Sequence, residues 1–453
     1  MIRPRPAEET IGLQHLMIVE PLELEVLGAL VPPGDEVHIV DMILEKKDLL
    51  HFLGKINPDI LCITGYITHL PVITEYCRLA KKFSPSIVTI VGGIHIELFP
   101  EDIEDDSVDY KIIRNATRAF PQLLEHLRYP EDHPFPGGII GKNGAHARDL
   151  RPDFDFYFPA PRRELTRAYR KDYFYVFHDK VALMKTSFGC PYSCSFCFCR
   201  LITGTIYHTR PMEEVMAELE SIQEKEIYIV DDDFLVSPKR VAEFIELLKE
   251  RRLDKRFLVY GRADFIINNP DLILAFRKVG LRTIIIGLES FFDEELENYD
   301  KRLKASANEQ AMEILNRCGV DCYAAIILSP GYSKEDFSFL RKKIKDLKIK
   351  FLNLQPLTPL PGVNIPGDIG ELILDRKDFA RWDLAHVAIK PEKMGLAEYY
   401  QQILRIYSSV AFRPRNILSH MKYPLRLQWK LARGLFRLRK QYRHMCQEAL
   451  SHA

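Results

Sequence analysis

A chain of 453 residues is too long for one ordinary core and points to two or three domains. Its 63 Lys plus Arg balance 63 Asp plus Glu, which excludes the one-signed field of a nucleic-acid wrapper, and no stretch nears the roughly 18 apolar residues of a membrane span. Nine cysteines, grouped rather than spread, point to a reducing compartment and a metal site rather than a disulfide framework. Met1 is not followed by a basic start and an apolar core, so no signal peptide is expected. The expected location is cytoplasmic.

Residues 1–150 read as alternating strands and helices. Strands are expected at 36–41, 59–66, 87–93 and 108–113, with helices at 47–55, 71–83 and 119–127. Continuous apolar strands separated by helices predict a doubly wound, Rossmann-like parallel sheet. Ligands of such sheets sit at the carboxyl ends of the strands. Thr64, Gly65, Gly92 and Gly93 stand at two such ends, and His95 follows the glycine pair. A flavodoxin-like module that only holds partners together would show the same pattern.

Residues 151–180, rich in Pro, Arg and aromatics, read as a linker. From 181 to 362, strand and helix alternate six times. Strands are expected at 181–185, 226–230, 257–260, 283–286, 322–328 and 352–357, which predicts a partial (β/α)6 barrel of the TIM type. Residues 363–453 are expected to form a helical C-terminal region.

Right after the first barrel strand comes Gly189-Cys190-Pro191-Tyr192-Ser193-Cys194-Ser195-Phe196-Cys197. Cubane clusters take four Cys ligands, so three leave one iron open, and an open position separates catalytic from structural metal sites. A zinc knuckle is the alternative, but zinc sites pair their cysteines with a second Cys or His pair, and only His208 is near. Cys199 reads as a bystander whose side chain points away. Further strand ends carry Asp231-Asp232-Asp233, Arg262-Ala263-Asp264, Gly287-Leu288-Glu289, Ser329-Pro330-Gly331 and Thr358-Pro359-Leu360-Pro361-Gly362. Active sites of such barrels are built from these ends.

The Cys-x3-Cys-x2-Cys spacing, with Phe196 before the third Cys, resembles the signature of radical S-adenosylmethionine (SAM) enzymes. The N-terminal stretches Glu20-Pro21-Leu22-Glu23-Leu24-Glu25, Val40-Asp41, Pro58-Asp59-Ile60-Leu61-Cys62-Ile63-Thr64-Gly65 and Val91-Gly92-Gly93-Ile94-His95 resemble the cobalamin-binding domain that precedes many of them. Leu258-Val259-Tyr260-Gly261-Arg262-Ala263-Asp264, Gly280-Leu281-Arg282-Thr283-Ile284-Ile285-Ile286-Gly287-Leu288-Glu289 and Leu357-Thr358-Pro359-Leu360-Pro361-Gly362 are most similar to the hopanoid C-3 methylase-like members.

The resemblance implies a [4Fe-4S] cluster on Cys190, Cys194 and Cys197, SAM, and cobalamin near Thr64, Gly65, Gly92, Gly93 and His95. It implies cleavage of SAM to a 5′-deoxyadenosyl radical, with cobalamin as methyl carrier to an unactivated carbon of a lipid-like substrate. By the same resemblance Asp231, Asp232 and Asp233 stand at the SAM amino group, Arg262 at its carboxylate, Gly287 and Glu289 at its ribose, and Phe196 near adenine. An ion pair of Arg262 with Glu289 at the barrel mouth is the structural alternative. A flavodoxin or ferredoxin would supply electrons.

Two departures stand out. Asp41 is followed by Met42-Ile43-Leu44-Glu45 rather than a cobalt-binding His, and Arg114-Asn115-Ala116-Thr117 replaces a Gly-Glu-Gly-Glu turn. Oxidative cyclases share both domains without methyl transfer, and a cofactor-holding sensor or scaffold is a non-enzymatic alternative.

From Arg413 to Arg443 ten Lys and Arg, among them Arg415 and Lys422, occur with no acidic residue. Leu427, Leu431, Leu435, Leu438 and Tyr442 form one helical stripe beside Arg426, Lys430, Arg433, Arg437 and Lys440. This is the pattern of a basic amphipathic helix on an anionic membrane; a helix packing that stripe on the barrel is the alternative. Peripheral membrane contact is therefore an expectation.

Overall fold

The computed structural model describes residues 1–11, 15–144, 153–414, 416, 421 and 423–451. Arg415 and Lys422 lie outside the described residues. Two compact units divide the chain, and neither is one continuous stretch. The first comprises Met1–Thr10, Glu20–Tyr173 and Arg376–Asp383; the second comprises Ile11–Val19, Phe174–Asp375 and Leu384–Ala453.

The first unit holds one sheet of six strands: β1 (Ile2–Arg3), β2 (Val40–Asp41), β3 (Ile60–Thr64), β4 (Val88–Gly92), β5 (Tyr110–Ile112) and β6 (Ile139–Gly141). Their order is β2-β1-β3-β4-β5-β6, parallel except for the edge strand β6. Side chains alternate across β3, so Leu61 and Ile63 join Ile73, Cys77 and Val91 on one face, while Cys62 joins Ile90, Phe120 and Leu123 on the other. Helices Leu49–Ile56 and Leu70–Phe83 cover the first face, and Ala116–Arg128 covers the second. The strand expected at 36–41 shrinks to two residues because its neighbour β1 offers only Ile2 and Arg3 for pairing.

The stretch expected as a linker is not a separate strap. Residues 153–173 belong to the first unit. There Arg163 reaches Glu20 at 2.7 Å, Arg170 reaches Glu25 at 3.2 Å, and Tyr173 donates to Asp41 at 3.2 Å. Both glutamate side chains are fully buried, so each guanidinium offsets a desolvated charge that water cannot reach.

In the second unit, β7 (Val181–Met184), β8 (Glu226–Ile229), β9 (Arg256–Gly261), β10 (Leu281–Glu289), β11 (Asp321–Leu328) and β12 (Phe351–Pro356) follow one another in space as in sequence, all parallel. Helices Met212–Ser221, Pro238–Glu250, Pro270–Val279, Ala305–Cys318 and Lys334–Asp346 alternate with them and bury Val215, Phe244, Phe276, Leu315 and Phe337 in one core. All six strands thus end on one rim, where the three-cysteine loop stands.

The C-terminal region is irregular before helix Leu396–Ala411. Helix Leu425–Ser451 follows, with Leu427, Leu431, Leu438 and Tyr442 buried. The Tyr442 ring lies 6.1 Å from Tyr400 and 6.0 Å from Tyr407. The leucine stripe read as lipid-facing is thus core: the protein itself covers it. Among the described residues no helix is long and apolar enough to cross a membrane.

Candidate active site

Gly189 opens the cysteine loop with φ +73°, and a Cβ there would stand 2.0 Å from the Ile206 carbonyl oxygen. Only glycine meets both demands. Asp231, at the end of β8, is buried and spends both carboxylate oxygens on the segment ahead of the loop. Oδ1 accepts from the Thr186 and Ser187 amides at 2.6 and 3.0 Å, and Oδ2 accepts from their hydroxyls at 2.5 and 2.7 Å. Asp232 accepts from the Gly189 amide at 2.9 Å. These two aspartates, expected at the SAM amino group, instead fix the loop.

Asp233 differs. Its Oδ1 accepts from the Leu235 amide at 2.9 Å, while its buried Oδ2 has no hydrogen-bond partner among the described residues. Burial pushes its carboxyl up to about 7. Such an orphan acceptor is costly unless a ligand satisfies it.

On its other side the loop rests on residues 298–302. The Ser195 amide donates to the Tyr299 carbonyl at 3.0 Å, Ser195 Oγ to the Asn298 carbonyl at 3.1 Å, and Ser193 Oγ to Asp300 at 2.6 Å. The Phe196 ring meets Tyr299 edge-on at 5.5 Å, and Lys301 Nζ lies 5.8 Å from its centre. Arg262, at the end of β9, donates through Nη1 to Cys194 Sγ at 3.7 Å and through Nη2 to the Lys301 carbonyl at 2.9 Å, and its Nε pairs with Asp264 at 3.2 Å. Its guanidinium also lies 3.8 Å from the Tyr192 ring centre. The fork expected at the SAM carboxylate therefore grips the cysteine loop.

Glu289 takes the left-handed conformation, φ +58°, where the register with β11 shifts. Its Oε1 accepts from Lys301 Nζ at 2.9 Å, both side chains being buried. A Cβ on Gly287 would stand 2.0 Å from that oxygen, which explains the glycine. Glu289 thus pairs with Lys301 and not with Arg262. Sequence reasoning gives Lys301 no individual role beyond placing 299–304 among the segments expected to contact substrate: a lysine in Asp300-Lys301-Arg302 looks like any solvated turn.

Burial pushes the Cys190 thiol up to about 12 and raises Cys194, against the nearby cations of Lys301 and Arg262. Cys197 is lowered to about 7, first by the thiol of Cys199 hydrogen-bonding to it. Cys199, expected to point away, instead hydrogen-bonds to Cys197.

The fit to a cubane rests on the donors themselves: three thiols on one loop, held from three sides by Asp232, Arg262 and residues 298–302. Among the described residues no three His, Cys, Asp or Glu side chains gather round a single metal-ion position. Ligands serving three separate irons need no such common centre.

In the first unit, Gly93 has φ +114°, and a Cβ there would stand 2.3 Å from the Gly65 carbonyl oxygen and 3.1 Å from Thr64 Oγ1. The Gly65 amide donates to the Gly92 carbonyl at 3.4 Å. Gly65, Gly92 and Gly93 therefore form a lip of bare backbone at the ends of β3 and β4, with the Thr64 hydroxyl next to it. A flat group can lie directly on such a lip, which fits a corrin or its nucleotide tail.

His95 does not belong to the lip. It is buried, its Nε2 bonds Asp102 at 2.8 Å, and its ring tilts against Phe99 at 5.4 Å. In place of the Gly-Glu-Gly-Glu turn, Asn115 takes the left-handed conformation, φ +47°, ahead of helix Ala116–Arg128. Its side chain donates to the Asp153 carbonyl at 2.5 Å and accepts from the Asp155 amide at 2.7 Å. Asparagine tolerates this backbone, so the turn survives without its glycines.

Residues 184–344 match the radical SAM superfamily, and residues 11–124 match the B12 binding domain. The chain belongs to the cobalamin-binding radical SAM enzymes. This enzyme is 26% identical over 394 residues to the hopanoid C-3 methylase of Methylococcus capsulatus, covering 85% of this chain and 75% of that one. It is 23% identical over 381 residues to the anaerobic magnesium-protoporphyrin IX monomethyl ester cyclase of Rubrivivax gelatinosus, covering 80% and 68%. In fold it is similar to the radical S-adenosylmethionine methyltransferase TsrM of Kitasatospora setae, whose structure holds cobalamin and a [4Fe-4S] cluster. The TM-score is 0.67 at 14% identity, over 100% of this chain and 99% of that one. The enzyme's cofactors are accordingly a [4Fe-4S] cluster, SAM and cobalamin.

Proposed function

We propose that this enzyme transfers a methyl group to an unactivated carbon of a small lipid-like substrate, and that Cys190, Cys194 and Cys197 hold its cluster. The observation that carries the reading is the three-cysteine loop at the end of the first barrel strand, with Arg262 donating to Cys194, in a chain whose N-terminal part matches B12 binding. The likeness to a hopanoid methylase supports the lipid class.

When bound, the cluster and SAM supply a radical that removes hydrogen, and cobalamin supplies the methyl carrier. The chain's own work is placement. Arg262 donates to a ligand sulfur and, with Asp232, keeps the cysteine loop in one geometry. Asp233 offers its orphan oxygen to the ammonium of SAM. The Glu289–Lys301 pair offers an acceptor and a donor to ribose hydroxyls, and Phe196 an apolar edge to adenine. Thr64, Gly65, Gly92 and Gly93 bear the corrin. A flavodoxin or ferredoxin supplies the electron.

The test uses anaerobically reconstituted protein and methyl-labelled SAM, with a hopanoid as substrate. Label in the product together with deoxyadenosine is the expected result. Deoxyadenosine with an unlabelled cyclised product would make it a cyclase, and neither product would make it a sensor or scaffold.

A further inference from the structure

The buried leucine stripe removes the first reason to expect membrane contact, yet the opposite face of helix Leu425–Ser451 supplies another. Trp429 and Phe436, two turns apart on one side, are 68% and 69% exposed, and Leu425, one turn earlier, is 82% exposed. Phe412, ahead of this helix, is 60% exposed. Large side chains left in water at this density mark an interaction surface. Arg433 lies 5.7 Å from the Trp429 ring and Arg439 lies 5.2 Å from Phe412, so each aromatic carries a cation beside it.

Next to this face runs a groove of about 500 Å³ formed with helices Leu396–Ala411 and Lys334–Asp346. Arg341, Arg405, Arg439 and Arg443 line it with Ser408 and Ser409, and among the described residues no carboxylate does. No acidic residue occurs between Arg413 and Gln447. Four guanidiniums without a counter-charge repel one another unless an anion enters, and arginine forks match phosphate oxygens.

We infer that this face docks on an anionic phospholipid surface, with headgroup phosphates in the four-arginine groove and Leu425, Trp429 and Phe436 entering the interfacial layer. Aromatic and aliphatic side chains set among cations suit a headgroup boundary; a nucleic acid would leave Leu425 without a partner. The inference deepens the lipid-substrate reading and rests on it for its biological sense, while its physical basis is separate.

The test is flotation of the full chain with phosphatidylcholine vesicles, with and without phosphatidylglycerol. Binding only to the anionic vesicles, release by salt, and a blue shift of Trp429 emission are expected. Trp382 is buried, so Trp429→Phe identifies the signal. Arg439→Gln with Arg443→Gln should lower partitioning by roughly 30-fold, the effect of two surface cations on an anionic leaflet. Trp429→Ala with Phe436→Ala should weaken binding as well, with the circular dichroism spectrum unchanged. Equal binding to neutral vesicles, no binding to either, release by millimolar inorganic phosphate, or preference for RNA would each overturn the inference. Flotation needs no methyl transfer, so a failed lipid-methylation assay and a failed docking assay are separate results.

Discussion

Arg262 Nη1 stands 3.7 Å from Cys194 Sγ, so a permanently charged donor is aimed at a residue assigned to hold the cluster. Hydrogen bonds to sulfur and nearby charge tune such centres. Arg262→Gln removes the charge and the stacking on Tyr192. Hydrogen bonds to charged groups contribute about 1.5–3 kcal/mol, so the variant should lose iron to a chelator at least about tenfold faster than the parent. Equal rates, followed by visible absorbance under anaerobic conditions, would show that Arg262 does not secure the loop.

Glu289 and Lys301 are buried as a pair, so removing one partner leaves an uncompensated charge. Lys301→Met should cost roughly 3–5 kcal/mol of stability. Adding Glu289→Gln should restore part of it, because the stranded carboxylate goes too. Denaturant midpoints of the two variants check this, and the single variant being the more stable would contradict it.

Gly93→Ala forces a Cβ against the Gly65 carbonyl at a backbone angle that disfavours side chains. The lip should open and cobalamin retention, read from visible spectra after gel filtration, should fall sharply. SAM cleavage by the reconstituted cluster should persist. Full retention of corrin would place the cofactor elsewhere.

His69 accepts a hydrogen bond at Nδ1 from the Tyr66 amide at 3.2 Å, which requires that nitrogen to be unprotonated. Burial lowers its pKa from 6.5 to about 4. The folded state therefore resists a proton that the unfolded chain accepts. The contribution to stability is full above pH 6.5 and drains away as pH falls towards 4. His69→Gln should flatten the stability profile in that window, measured as the denaturant midpoint at several pH values. An unchanged slope would mean that another group governs it.

Much of this was legible in the residues. The barrel strands were located because parallel strands buried on both faces read as apolar runs, and the cysteine loop because its spacing is rare by chance. The two-residue strand β1 was not legible, since Ile2–Arg3 is too short to show any period. Nor was β6, whose Ile139-Ile140-Gly141 reads equally well as a loop. The roles of Asp231, Arg262 and His95 could not be separated from chemistry at the site, because each is a polar residue near a strand end. Only the folded arrangement shows that their atoms are already taken. The two readings of the C-terminal stripe differ in nothing but what covers the leucines, which is a tertiary fact.

Thr10 Oγ1 donates to the Ala380 carbonyl at 2.8 Å across a separation of 370 residues, both within the first unit. During vectorial synthesis the sheet domain emerges from the ribosome early, yet its last segment, Arg376–Asp383, arrives only after every barrel strand has been translated. Native closure of the N-terminal fold is thus a late event. A fragment cut at residue 150 or 173 would lack that segment, and an exposed apolar surface on it would be a symptom of incompleteness rather than of poor folding.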